Sequence, residues 1–367
     1  MLIKGAGENL MKKQFLVIVS LLVVAAMLAA CGGNSGGGNN TPNNTPNNSG
    51  AAEGNAGGDS NEETRRAVLV LPEEIGVNPF FQLMDEGFKR GGEEFGLEVR
   101  TIESSDPAAF EQNLRAAVAE NYDLIVTATF QAEDALNKVA QENPDKTFAI
   151  IDTFVDLPNV RSVGFREYEA AYLMGAAAGL STQTNTVGAI VAMDTPLLKK
   201  YTGGFEQGLQ ATNPEAKFLV NYVGGFNDPA QAKELALQQH SQGADFIAGM
   251  AAVGDNGVFE AASEEGFYTA GQDTDRTVLD PEHIVLSQLK GTDAVAYETV
   301  KSFAEDNFTF EAVEYGLEEG GVGITFVTHE SESELSDFIG QETIDQLKEM
   351  AEQIKSGELV VANPLAQ

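Results

Sequence analysis

A formal net charge of −34 on 367 residues, from 56 Asp and Glu against 22 Lys and Arg, excludes nucleic acid as a partner, because the phosphate backbone would be repelled, and disfavours anionic lipid surfaces for the same reason. The acidity reads as solubility in a salty or alkaline habitat rather than as recognition of a basic ligand. Cys31 is the only cysteine, so counting alone excludes a disulfide, a thiolate metal site and a catalytic thiol in the body of the chain.

The N-terminal segment carries an export signal. Lys12 and Lys13 precede an uncharged apolar run over residues 15–30 that stops at Cys31. The run is shorter than the ~20 residues of a membrane-spanning helix, and Leu28-Ala29-Ala30-Cys31 resembles a bacterial lipobox, which implies cleavage before Cys31 and acylation of its thiol. The alternative is an uncleaved anchor helix; either way the chain is held at a membrane. Met11 stands beside Met1 as a possible start, since residues 1–10 add nothing a signal peptide requires. Residues 31–65 comprise the lipidated cysteine and a Gly/Asn/Ser/Thr/Pro-rich linker with a repeated Asn-Thr-Pro-Asn. It has too few large apolar side chains to fold and serves as a tether with a span of roughly 30 Å. The folded part is expected from about Arg66, and its length, at 43% hydrophobic composition overall, suits two domains.

Short apolar runs then alternate with helical spacing. Strands are expected at 67–71, 97–102, 123–127, 148–152 and 160–164, with helices such as 81–95 and 110–121 between them. The pattern restarts with strands at 187–191, 218–223, 245–250, 267–271 and 284–286 and helices at 205–212, 229–241 and 257–265. Such alternation predicts α/β architecture, two parallel sheets covered by helices and facing across a cleft. Ligands of open parallel sheets bind beyond the carboxyl ends of the strands. The candidate contacts are therefore Asn78, Phe80 and Phe81, then Thr129 and Phe130, Asp152, Met193, residues 251–256, Asp273, Asp275, and Lys290. Aromatic faces stack on rings, and carboxylates accept hydrogen bonds from hydroxyls.

Each has a duller alternative. Phe80 and Phe81 could belong to the core, although two in succession are not both expected to point inward, so one should face the cleft. Asp273 and Asp275 could cap the next helix, Lys290 could be a solvated lysine at a helix end, and Asp152 a turn residue.

Several strings resemble one family. Met193-Asp194-Thr195-Pro196, Tyr201-Thr202-Gly203-Gly204-Phe205, Gly225-Phe226-Asn227-Asp228-Pro229, Gly271-Gln272-Asp273-Thr274-Asp275, Leu289-Lys290 and Tyr315-Gly316-Leu317 fall in the order shown by the basic membrane protein (BMP) family. Its members are lipoprotein receptors similar to the purine nucleoside receptor of spirochaetes. The resemblance covers essentially the whole folded region. It implies a type I periplasmic-binding-protein fold, doubly wound lobes joined by hinge strands, with a nucleoside between them. Crossings between lobes are then expected near residues 164–167, 286–288 and 307–310. Lobe 1 would comprise 66–165 and 288–307, lobe 2 166–287 and 308–345, and 346–367 a C-terminal helix and tail.

By the same likeness Asp273 receives ribose hydroxyls, Lys290 adds a polar contact, and aromatic residues, Phe80 among them, sandwich the base. The first loop departs from the family pattern of an aspartate followed by Ser-Phe-Asn-Gln, for here it reads Val77-Asn78-Pro79-Phe80-Phe81-Gln82. Asn78 to Phe81 resembles instead the first loop of ribose-type sugar receptors, which makes a free sugar or sugar-like signal molecule the alternative ligand. The expected partners are an ABC permease and ATPase, with membrane contact only through the lipid anchor, an extracytoplasmic location, a monomeric state and no cofactor or metal. Against an enzyme, His240, His283 and His329 show no His-Glu-x-x-His spacing, and there is no Gly-x-Ser-x-Gly elbow or phosphate loop. A sensory co-receptor is the other alternative.

Overall fold

The computed structural model describes residues 64–366. The expected signal segment, Cys31 and almost all of the linker lie outside the described residues. No helix among the described residues is long and apolar enough to cross a membrane.

The first half of the body runs β1 (Arg66–Val70), α1 (Pro79–Phe95), β2 (Glu98–Ile102), α2 (Pro107–Ala119), β3 (Leu124–Ala128), α3 (Glu133–Glu142), β4 (Thr147–Ile151) and β5 (Val160–Phe165). The second runs α4 (Glu167–Ser181), β6 (Thr186–Val191), α5 (Pro196–Thr212), β7 (Lys217–Tyr222), α6 (Pro229–Ser241), β8 (Phe246–Met250), α7 (Asp255–Glu265), β9 (Tyr268–Asp273) and β10 (Ile284–Lys290). The chain then forms α8 (Thr292–Ala304), β11 (Ala312–Tyr315), β12 (Val322–Ile324) and α9 (Gly340–Lys355). Two six-stranded sheets result, ordered β11-β5-β4-β3-β1-β2 and β12-β10-β9-β8-β6-β7. The order of the first five strands is repeated in the second sheet, and the pairings are parallel except that of β12 with β10.

Alternation of side chains assigns the faces. Ala67 and Leu69 of β1 pack with Phe81, Met84 and Phe88 of α1, whereas Val68 and Val70 pack with Phe110 and Leu114 of α2 and Leu136 of α3. Both faces of β1 are thus covered, which is why it reads as an unbroken apolar run. Four helices start on an Asx or Thr followed by proline. Asn78, Asp106, Thr195 and Asp228 each accept a backbone N–H of the first turn, and Pro79, Pro107, Pro196 and Pro229 occupy the place where a missing N–H costs nothing. That signal at Thr195-Pro196 moves the start of α5 well upstream of the expected residue 205.

Sheet membership corrects two expected crossings. β10 stays in the second sheet as far as Lys290, which pairs with Val322, so the chain leaves that sheet between Lys290 and α8 rather than at 286–288. Likewise 312–315 form β11 on the edge of the first sheet, with Tyr315 opposite Phe165, and the last crossing follows Tyr315 rather than residues 307–310. The C-terminal helix also begins earlier than residue 346, at Gly340.

Helix pairs come into backbone contact at glycines. A Cβ on Gly208 of α5 would lie 1.9 Å from the Tyr172 carbonyl oxygen of α4, and one on Gly175 of α4 1.9 Å from that of Phe205. Gly208→Ala must therefore push the two helices apart, and its cost is expected to be about 1–3 kcal/mol, read from the midpoint of denaturant unfolding. At the start of α7, Asp255 is buried with its Oδ1 accepting the Ala251 N–H at 2.7 Å. Burial pushes its carboxyl up to about 8, against the weaker opposing effects of that hydrogen bond and Arg276. The folded state therefore holds a proton that an unfolded aspartate gives up, so this contribution is complete below about pH 4 and lost as pH rises through about 8. Asp255→Asn should shrink the fall in thermal midpoint between about pH 6 and about pH 9; an unchanged slope would remove Asp255 from this account.

Candidate functional site

A cavity lies beyond the carboxyl ends of both sheets, the place where open parallel sheets bind small molecules. On the first sheet its wall runs from Asp152, just past β4, to Thr129, Phe130 and Gln131 past β3, and to Glu73, Asn78, Phe80 and Phe81 past β1. On the second it runs from Lys290 at the end of β10, to Gln272 and Asp273 on β9, and to Met250 and Ala252 at β8. Leu197, Leu198 and Tyr201 of α5 and Phe226 past β7 complete it. Charge is concentrated where β4 faces β9 and β10. The rest of the wall is largely apolar and aromatic, with the carboxylate of Glu73 among it, its pKa raised by burial.

The charged end is built around one buried ammonium. Lys290 Nζ lies 3.0 Å from Glu167 Oε1 and also pairs with Asp152. Glu167, the first residue of α4, is held from its other oxygen by Lys200 at 3.1 Å, and Lys200 in turn donates to the Phe165 carbonyl at 2.7 Å. Burial alone would push Lys290 down, but Asp152 and Glu167 outweigh it and hold the ammonium charged well above the ordinary lysine range. Burial acts on Glu167 in the raising direction, yet its two lysines hold it below the usual carboxylate range. Asp152 has only a share of Lys290 and a like charge in Glu167 beside it, so burial prevails and its carboxyl is pushed up to about 6. The aromatic rings of Phe165, Phe80 and Tyr201 surround the same ammonium, with centroids at 4.8, 5.4 and 5.7 Å. An ammonium has three donors, and these two carboxylates take two of them.

Backbone conformation marks the same place. Of the eight non-glycine residues with positive φ among the described residues, four line the cavity: Thr129, Asp152, Ala252 and Asp273, with φ of 72°, 74°, 52° and 71°. A β-branched threonine in this region is an outlier, and such strain collects at functional sites because the surroundings must impose it. At Asp273 the turn of the backbone brings a half-buried carboxylate to the cavity wall, where burial raises its pKa against the pull of Lys290 and Arg276.

Of the anticipated contacts, Asn78, Phe80, Phe81, Thr129, Phe130, Asp152, Ala252, Asp273 and Lys290 are brought together in this wall, whereas residues 251 and 253–256 are not. Nor are two others. Met193 packs against the main core, and Asp275 caps the turn that follows, accepting Thr277 N at 2.9 Å and Ser331 Oγ at 2.5 Å. The expectation that only one of Phe80 and Phe81 faces inward is also overturned. Both are buried, packed edge to face at 5.2 Å, because the cleft is itself enclosed. Asn78 divides its duty, its Oδ1 capping α1 at Phe80 N, 3.1 Å away.

Residues not anticipated include Glu73, Gln131, Tyr201, Phe226 and Gln272 in the wall and Glu167 behind it. Gln131, Phe226 and Gln272 adjoin strand ends, so the strand-end rule could have found them; Glu167 opens a helix and had no such signal. Among the described residues no group of three or more His, Cys, Asp or Glu is arranged to hold a metal ion.

Residues 64–363 match the family described as ABC transporter substrate-binding protein PnrA-like (Bmp). An uncharacterized lipoprotein of Pyrococcus horikoshii is 30% identical over 321 residues, covering 76% of this chain and 78% of its own length. The ABC transporter nucleoside-binding protein BmpA of Lactococcus lactis is 27% identical over 295 residues, covering 74% and 84% respectively. Among solved structures, an ABC transporter solute-binding protein from Aeropyrum pernix superposes with a TM-score of 0.73 at 27% identity, over 82% of this chain and 94% of that one. The two parallel-sheet lobes are those of the type I periplasmic-binding-protein fold, as expected. The chain belongs to the Bmp family of PnrA-like substrate-binding proteins of ABC transporters, a family of solute binders and not of enzymes.

Proposed function

We propose that this chain captures a nucleoside outside the cytoplasmic membrane, as a monomer tethered by an acylated Cys31, and presents it to the permease and ATPase of an ABC importer. The observation that carries the nucleoside reading is the division of the cavity. Asp152, Asp273 and Lys290 supply a charged lining, and Phe130, Phe226, Met250 and Ala252 an apolar and aromatic one, with Phe80 against the Lys290 ammonium. A nucleoside has the same division, a hydroxyl-bearing sugar joined to a flat apolar ring. The name of the Lactococcus lactis relative agrees with it.

In this reading Asp273 accepts sugar hydroxyls, Lys290 donates to the sugar, and Phe80 stacks on the base. Ligand contacts to both lobes stabilise the form in which the cavity is enclosed, and the permease recognises that form. No bond of the ligand is broken.

Calorimetry of the purified protein against purine and pyrimidine nucleosides, free bases, ribose and other sugars tests this directly. Nucleosides are expected to bind, and free sugars and bases each to bind far more weakly; binding of ribose alone would move the chain to the sugar class suggested by its first loop. Asp273→Ala should weaken the best nucleoside by about 2–3 kcal/mol, since ligand hydroxyls then lose a charged acceptor. Phe80→Ala should cost about 1–3 kcal/mol if a base stacks there. Unchanged affinity in both variants would displace the site from these residues.

A further inference from the structure

Gln272 sits next to last in β9 and is buried at 5% exposure. Its Nε2 donates to the Gly249 carbonyl on β8 at 2.8 Å. Rotating the amide by half a turn would set one carbonyl-type oxygen against another, so this bond fixes which end is which and leaves Oε1 as the free acceptor. Among the described residues Oε1 has no protein donor, and of the buried side-chain polar atoms in that condition it is the one whose residue lines the cavity. The next residue, Asp273, lines the same wall. Two consecutive residues thus bring acceptors to one wall, that of Gln272 fixed by its bond to Gly249, and an acceptor buried without a partner penalises any ligand that fails to supply a donor.

We propose that Gln272 is a specificity-determining contact, whose amide oxygen accepts a hydrogen bond from one sugar hydroxyl of the ligand beside those taken by Asp273. The assignment rests on the nucleoside reading and narrows it to ribonucleosides that keep that hydroxyl. The selection depends on the Gly249 carbonyl that fixes the amide. It is written into one side chain whose other end is anchored to the neighbouring strand.

The test pairs ligand and protein changes. The native protein and Gln272→Met are titrated with the tightest-binding ribonucleoside and with its 2′-, 3′- and 5′-deoxy forms, and the thermal midpoint of each unliganded protein is recorded alongside. One deoxy form should bind the native protein at least ~10-fold more weakly than its parent, and Gln272→Met should bind parent and that deoxy form alike, having itself lost at least ~10-fold on the parent. The deoxy form that shows this coupling identifies the hydroxyl. A purely structural role for Gln272 would lower all four affinities by a common factor, and that result overturns the proposal. So does a native protein that binds all three deoxy forms as well as the parent, a result independent of how the variant folds. A native protein that binds no nucleoside at all overturns the nucleoside reading, and this assignment with it.

Discussion

Taking the Lys290 ammonium out of water costs several kcal/mol unless its charge is matched by close, well-placed carboxylates. Asp152 comes from the end of β4 in the first sheet and Glu167 from the start of α4 in the second half, so the matching succeeds only when the two halves face each other in one arrangement. Lys200 extends the constraint by tying Glu167 to the Phe165 carbonyl at the end of β5 and reaching Glu314 of β11 at 3.5 Å. Phe165, Glu167 and Lys290 all lie where the chain passes from one sheet toward the other. The polar end of the cavity and the crossings are thus the same piece of structure, and what positions the site also positions the lobes.

The remaining geometry follows from parallel sheets. Each strand ends at the same side of its sheet, and the residue after it is free of the ladder and able to serve the cavity. Here that freedom is used to the point of strain, with Thr129, Asp152, Ala252 and Asp273 in left-handed conformations at the wall. Elsewhere the packing is that of a covered parallel sheet: β1 and β3 are covered on both faces, and glycines allow α4 and α5 to approach to backbone contact. A rigid frame of that kind lets a few polar atoms hold fixed positions around a ligand.

Much of this was legible in the sequence, for physical reasons that vary by element. Unbroken β-branched and aliphatic runs such as residues 67–71 announce strands buried on both faces, and their alternation with helices announces the α/β lobes. Asp273 and Lys290 could be picked out because strand ends are where parallel sheets bind. The helix α4 was less visible. Twelve of its fifteen residues are buried, so it has no polar face and no 3.6-residue stripe, and Glu167 disappeared with it. Asp275 and Met193 show the opposite failure. Both stand beyond a strand, yet one caps a turn and the other packs, half-buried, against the core, and only tertiary placement distinguishes these roles. The edge strand β11, four residues with an exposed or half-buried pattern, carried too little apolar signal to be assigned to a sheet.

The most direct measurement is a crystal structure of the protein with its tightest-binding nucleoside. The account predicts the ligand in the cavity between the sheets, its sugar hydroxyls within hydrogen-bonding distance of the Asp273 carboxylate and the Lys290 ammonium, and its base against Phe80 on the side toward Phe226. A ligand held in the reverse sense, with the base beside Asp273, or on another surface altogether, would contradict it.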